Sequence, residues 1–327
     1  MSVSPPGPKG VPVDEFCHEA LFYDGPESFV AGAIPFLREG IAAGEAILVV
    51  ESAARIELLR AGLGQAADGV VFADMEEVGT NPARIIPAWQ DFVAQHAGTG
   101  RRLRGIGEPI WNGRGPQELV ECQQHESLLN VAFAGGEPWY LLCPYDTSSL
   151  PADVIEEALR SHPFLTEGTA HGRSPAYRGL TESAALLDVP LAEPQGLVHE
   201  LDFAHDDLGL VRRVAARYAT ASGLSASRAS GFVMAVNEVA TSSVRDNGGT
   251  GKLRIWQEED RVIGEIFDAG SFDRPLADRE RPAPGSTGPR GLWFANQQCD
   301  LVQVRSVAAG TVVRLHMRRP SFRQMSA

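Results

Sequence analysis

The chain has 327 residues, 43% hydrophobic and 22% charged, an ordinary globular balance and enough length for about two domains. Lys and Arg number 29 against 42 Asp and Glu, a net charge of −13 that repels phosphate backbones and anionic lipid. That excludes direct nucleic-acid binding and a polybasic membrane anchor. No apolar run approaches the ~20 residues of a transmembrane helix, and no signal-peptide pattern opens the chain, so a cytoplasmic protein is expected. Four cysteines without a CxxC form no disulfide framework.

Residues 1–13 are a Pro/Gly-rich tail, expected to be disordered. Residues 14–167 read as a first domain. Within it, 20–23 and 46–50 are strand-like, and 28–42 carries Phe29, Ile34, Leu37 and Ile41 near helical spacing before Gly44 stops it. Further strands are expected at 70–73, 103–107 and 139–143, with helices at 81–96 and 118–134 between them. Strand and helix alternating in this way predict an α/β domain with a parallel sheet covered on both faces. Residues 168–197, rich in Gly, Ser and Pro, read as a linker.

A second domain is expected over 198–320, followed by a short tail, 321–327. It opens with a strand at 198–203. A helix at 207–221 buries Leu208, Val211, Val214 and Tyr218, and another at 229–244 buries Phe232, Val236, Val239 and Val244. Strands at 252–258, 261–268, 301–307 and 310–318 complete an α+β sandwich.

Four short segments in this half carry chemistry. Asn237 and Glu238 stand on a helix ahead of Gly248-Gly249. Asp268 and Gly270 follow a strand, Gly288 to Leu292 is a Gly-flanked turn opening a helix, and Gly310-Thr311 leads the last strand. Taken singly, an Asp-x-Gly is usually a turn and a Glu on an amphipathic helix is usually solvated. In order and spacing together they resemble the GHKL ATP-binding (Bergerat-type) fold, and within it the anti-sigma-factor kinases of the RsbW type. The resemblance implies ATP and magnesium as cofactors, with Glu238 as general base. It puts Asp268 and Gly270 under the adenine, and Gly288, Gly291 and Leu292 at the phosphates. Thr311 matches the Gly-Thr of the last strand. Two positions depart from the family. Ser242 stands where an Asn would hold the magnesium, with Asn237 pointing elsewhere around the helix, and Phe272 replaces a second Gly. His205 lies too near Glu238 to leave room for a phosphoacceptor hairpin, so a histidine kinase is excluded; it reads as part of a helix start.

Residues 16–165 resemble the MEDS sensory domain, related to the RecA/KaiC core. The stretches that carry the likeness are Phe16 to His18 with Leu21 to Tyr23, Gly107 to Trp111, Glu121-Cys122 with His125-Glu126, and Cys143 to Asp146. No G-x-x-x-x-G-K-[ST] occurs, so this half is not expected to hydrolyse ATP. The resemblance implies a small-molecule pocket near Tyr23, Glu108, Trp111, His125 and Tyr145. Cys17, His18, Cys122, His125 and Cys143 admit either a metal site or plain packing as buried apolar thiols and polar core groups. The reading of the whole is a signal-responsive anti-sigma protein. It binds a sigma factor or a STAS-type anti-anti-sigma partner, phosphorylates the latter on Ser or Thr if active, and dimerises as RsbW-like domains do. The alternative is a catalytically dead adaptor that acts by docking.

Overall fold

The computed structural model describes residues 15–167, 170–182, 190–246, 248–282 and 290–320. The expected terminal tails and Gly288 lie outside them. The chain divides into two compact units, meeting at residue 184.

The first unit is a seven-stranded sheet. Its strands are β1 (Cys17–Tyr23), β2 (Ala46–Glu51), β3 (Val71–Asp74), β4 (Leu103–Gly107), β5 (Trp139–Asp146), β6 (Phe164–Glu167) and β7 (Ala170–Arg173). They lie in the order β3-β2-β4-β5-β1-β6-β7. All pairs are parallel except β6 with β7. The expected parallel sheet therefore ends in one antiparallel edge strand. That strand falls inside 168–197, which is correspondingly not all linker. Helix α1 (Gly25–Ala42) packs Phe29, Ala33 and Leu37 against Ile47, Tyr140 and Leu142. On the opposite face Trp89 of α4 (Ile85–His96) lies directly over Gly105, where an added Cβ would come within 2.8 Å of its ring.

Helices α2 (Ala53–Leu63), α3 (Met75–Val78), α5 (Pro116–Ala132) and α6 (Ala152–Ser161) complete this unit. The connection from β2 leads to one side of the sheet and that from β4 to the other. The two strands are neighbours, so their carboxyl ends flank a crevice of the kind that holds ligands in open α/β sheets. Deeper in, Arg104 on β4 is buried. Its Nε donates to Glu45 Oε2 at 2.5 Å, and its Nη1 to the Phe36 carbonyl at 2.7 Å and Glu39 Oε2 at 3.0 Å. The guanidinium also lies 4.4 Å from the Phe36 ring centroid.

The second unit is a five-stranded antiparallel sheet in the order β11-β12-β10-β9-β8. Its strands are β8 (His199–Ala204), β9 (Thr250–Gln257), β10 (Arg261–Asp268), β11 (Leu301–Val307) and β12 (Gly310–Arg318). Helices α7 (Leu208–Ala221), α8 (Ala226–Asp246) and α9 (Arg290–Gln298) bury Val211, Ala215, Phe232, Val236 and Ala295 with Leu253, Ile266 and Leu315 of the sheet. Gly264 lies under Phe232 and Val236, each 3.3 Å from where its Cβ would stand. This is the α+β sandwich expected of the GHKL fold. At its far end β12 starts against β10: a Cβ on Gly310 would overlap the Asp268 carbonyl oxygen and come within 2.8 Å of Ala269 Cα.

Candidate functional site

In the second unit a cleft of about 280 Å³ opens between α8 and the ends of β10 and β12. Ser242, Asp268, Leu292 and Thr311, four of the positions singled out in the sequence, line it. Asp268 is fixed at the strand end. Its Oδ1 accepts the Gly270 N–H at 2.8 Å and its Oδ2 accepts the Ser243 hydroxyl at 2.6 Å. Thr311, paired with Asp268 across the ladder, donates its hydroxyl to the Gly270 carbonyl at 2.8 Å. The Asp-x-Gly turn and the first residues of β12 thus form one hydrogen-bonded unit.

Gly291 is buried where α9 meets α8. A Cβ there would stand 2.9 Å from Ser242 Oγ and 3.0 Å from the Glu238 carbonyl, so its lack of a side chain allows the approach. Glu238, one turn before Ser242 on the same helical face, is half-buried and lies outside the residues that line the cleft. Asn237 also lies outside it: its Oδ1 accepts from Arg212 of α7 at 2.8 Å, a correction to its expected place at the nucleotide. The sequence reading missed Ser243, Asp246, Asp273 and Arg274, which share the cleft. Only Asp246 had a signal, standing one turn beyond Ser242.

The residues fit the two ends of a magnesium nucleotide differently. A carboxylate held in place, a glycine beside it and an apolar wall of Val239, Phe272 and Leu292 suit a purine ring. Magnesium requires oxygen ligands at ~2.0–2.1 Å in near-octahedral array. Ser242 offers a short hydroxyl packed against the start of α9, with no amide carbonyl to reach outward. At Ser242 the magnesium end does not match the family's arrangement, and the carboxylates left in the cleft beside Asp268 are Asp246 and Asp273.

In the first unit a cavity of about 220 Å³ occupies the crevice at the carboxyl ends of β2, β4 and β5. Glu108 and Trp111 line it, and Tyr23 supports it, donating its hydroxyl to Glu108 Oε1 at 2.5 Å. Arg55 bonds Glu108 Oε2 at 3.1 Å and stacks on the rings of Tyr23 and Phe29, 4.5 and 4.6 Å from their centroids. The expected His125 and Tyr145 are both buried elsewhere. Tyr145 packs edge-on to His162, and neither lines the cavity. In exchange come Glu51, Arg55 and Asp146; Asp146 ends the Cys143 to Asp146 stretch singled out in the sequence, and the hint for Glu51 was an acidic residue closing the apolar run of β2. Cys17 and Cys122 are buried thiols. Burial pushes Cys122 up to about 12, and its Sγ lies 3.4 Å from the Pro109 carbonyl, so both serve packing.

Glu51 is fully buried, and neither of its oxygens has a hydrogen-bond partner among the described residues. Burial first, then the charge of Glu108, raises its carboxyl well above the ordinary value. The unfolded chain releases this proton near pH 4.5, and the folded chain keeps it to higher pH. Above that point the native state binds more protons, so stability falls as pH rises towards the folded-state value. Glu51→Gln is expected to remove this decline. Urea titrations at about pH 5 and about pH 8 should show a flatter response in the variant, and identical slopes in both proteins would refute the assignment.

Residues 17–163 match the family described as MEDS, methanogen/methylotroph DcmR sensory domain, and residues 202–317 match the histidine kinase-like ATPase domain. No curated protein matches the chain. Among solved structures, the RsbU and RsbW domains of Rv1364c from Mycobacterium tuberculosis align at 15% identity and a TM-score of 0.28. That alignment covers 38% of this chain and 34% of that one. No helix among the described residues is long and apolar enough to cross a membrane.

Proposed function

We propose that this union of a MEDS sensory domain with a histidine kinase-like ATPase domain is a signal-responsive regulator of the RsbW type. It acts in the cytoplasm, as a dimer, by docking to a sigma factor or to a STAS-type antagonist. The cleft at Asp268 binds the adenine end of a nucleotide, and the cavity at Glu51 takes the signal. The observation that carries the reading is the meeting of Ser242, Asp268, Leu292 and Thr311 in one cleft, from four distant segments of sequence.

Within that cleft Asp268 accepts a hydrogen bond from a ring amino group, while Ser243 and the Gly270 N–H keep its carboxylate oriented. Leu292 and Val239 exclude water from the ring. With no magnesium ligand at Ser242 and Glu238 outside the cleft, the nucleotide serves as a state marker for docking and no phosphoryl transfer is assigned. In the first unit Glu51, with no hydrogen-bond partner among the described residues, stands in a site already holding Glu108 and Asp146. That favours a small ligand that brings hydrogen-bond donors or positive charge.

Calorimetric titration of ATP and ADP into the full chain, with and without magnesium, tests the nucleotide reading. The native chain should bind both nucleotides with little response to magnesium. Ser242→Asn should raise affinity for ATP about tenfold only when magnesium is present, the worth of one added charged contact. If neither nucleotide binds the native chain, the cleft is vestigial. The second reading, an adaptor that docks without nucleotide, then takes its place; the position of Glu238 and Asn237 outside the cleft is the observation in its favour.

A further inference from the structure

His18, Glu126, Cys143 and His162 come from β1, α5, β5 and the end of α6. They meet in the first unit with one ligand atom from each, all within 4.8 Å of one another and all buried. His18 Nε2 lies 3.1 Å from Glu126 Oε2 and 3.3 Å from Cys143 Sγ, and His162 Nε2 lies 3.2 Å from the same Glu126 oxygen. The outer nitrogens of both rings are occupied. His162 Nδ1 donates to the Ala158 carbonyl at 2.9 Å. His18 Nδ1 lies 3.2 Å from Asn130 Oδ1, and Asn130 is itself anchored by donating to the Ser161 carbonyl at 2.8 Å. A neutral imidazole with its proton on Nδ1 presents a bare lone pair at Nε2. Two such lone pairs then face one carboxylate oxygen, an arrangement of acceptors against an acceptor that needs something positive between them.

Charge leads to the same requirement. Burial favours neutral groups, so an ionised Glu126, fully buried beside His18 and His162, is a negative charge out of water that needs compensation. A divalent cation beside Glu126 and a Cys143 thiolate brings the site to zero net charge.

We propose that these four side chains bind one zinc ion. The donors, two imidazoles by Nε2, a thiolate and a carboxylate, are a zinc set. Bonds of ~2.0–2.3 Å in a tetrahedron place ligand atoms ~3.3–3.8 Å apart, so the 3.1–3.3 Å spacings here need only slight expansion and the widest one slight closure. Asn130 and the Ala158 carbonyl are the outer partners that fix ring orientation at metal sites. On binding, Cys143 gives up its proton to solvent and its sulfur lone pair to the metal. Four protein ligands with no exposure make a closed site that ties β1 and β5 to α5 and α6.

Full-length chain purified without chelator should carry about one equivalent of zinc by mass spectrometry. After exchange, Co²⁺ should give the visible bands of tetrahedral cobalt and a near-ultraviolet thiolate-to-cobalt band. Cys143→Ser should lose the thiolate band, and Cys122→Ser should keep it. The native-chain spectrum requires no variant to fold. Absence of zinc together with no cobalt spectrum in the native chain would show a cluster held by protons alone and overturn the proposal. So would a thiolate band that survives Cys143→Ser.

Discussion

Asp268→Ala is expected to weaken adenine-nucleotide binding about a hundredfold, roughly 3 kcal/mol, without unfolding the chain. The loss has two sources. The hydrogen bond to the ring amino group disappears, and the Ser243 hydroxyl and Gly270 N–H lose the acceptor that orders the turn. Asp268→Asn separates them. An Asn keeps one oxygen to accept from the Gly270 N–H, but its NH2 faces Ser243 as a donor and offers a donor where the ring needs an acceptor. It should recover the turn and only part of the affinity. Titration of ADP into the three proteins measures this. Unchanged affinity in Asp268→Ala would remove the adenine assignment, whatever the fate of magnesium.

Arg104→Ala is expected to cost about 3–5 kcal/mol of stability, since removing one partner of a buried ion pair leaves the other charged and dry. Glu45 loses its bidentate partner, and the Phe36 carbonyl loses a donor at the inner face of α1. For a unit of this size that is a fall of roughly 10 °C in melting temperature. Arg104→Lys should lose less, keeping the charge but not the fork that reaches Glu45 and Phe36 together. Urea unfolding followed by near-ultraviolet circular dichroism, which reports Tyr140 beside the guanidinium, is the measurement. A loss under about 1 kcal/mol would mean that water reaches Glu45 and solvates it.

Where a signal was local, the sequence carried it. β4 runs from Leu103 to Gly107 as expected, because a short apolar run bounded by basic residues and a Gly-Glu-Pro has few alternatives. Helix α2 escaped notice because Ala53–Leu63 buries only Leu59 and Leu63, so no apolar stripe announces it. β7 was concealed in Gly- and Ser-rich surroundings, since an edge strand needs only one partner and little apolar content. In the second unit the ordered motifs placed Ser242, Asp268 and Thr311 in one cleft. In the first unit the expected pocket and the polar cluster were confused. His125 and Tyr145 share the family motifs with Glu108 but do not line the cavity that Glu108 faces. His162, followed by Pro163, gave no hint that its ring would lie against that of His18. Sheet order is set by crossovers, and no local pattern encodes which strand becomes whose neighbour.

Gly310 has a consequence for how such chains are recognised. Its backbone passes so close to Asp268 that no side chain fits, whether or not a nucleotide ever enters the cleft. Selection on folding alone is then enough to hold a glycine there after catalytic positions have drifted. Ser242 and Phe272 can change freely in a descendant that only docks; Gly310 cannot. A sequence profile that scores Gly-Thr as a nucleotide signature is therefore scoring a steric requirement of the strand crossing. In a divergent relative, the residue aligned with Ser242 is the better witness to surviving chemistry.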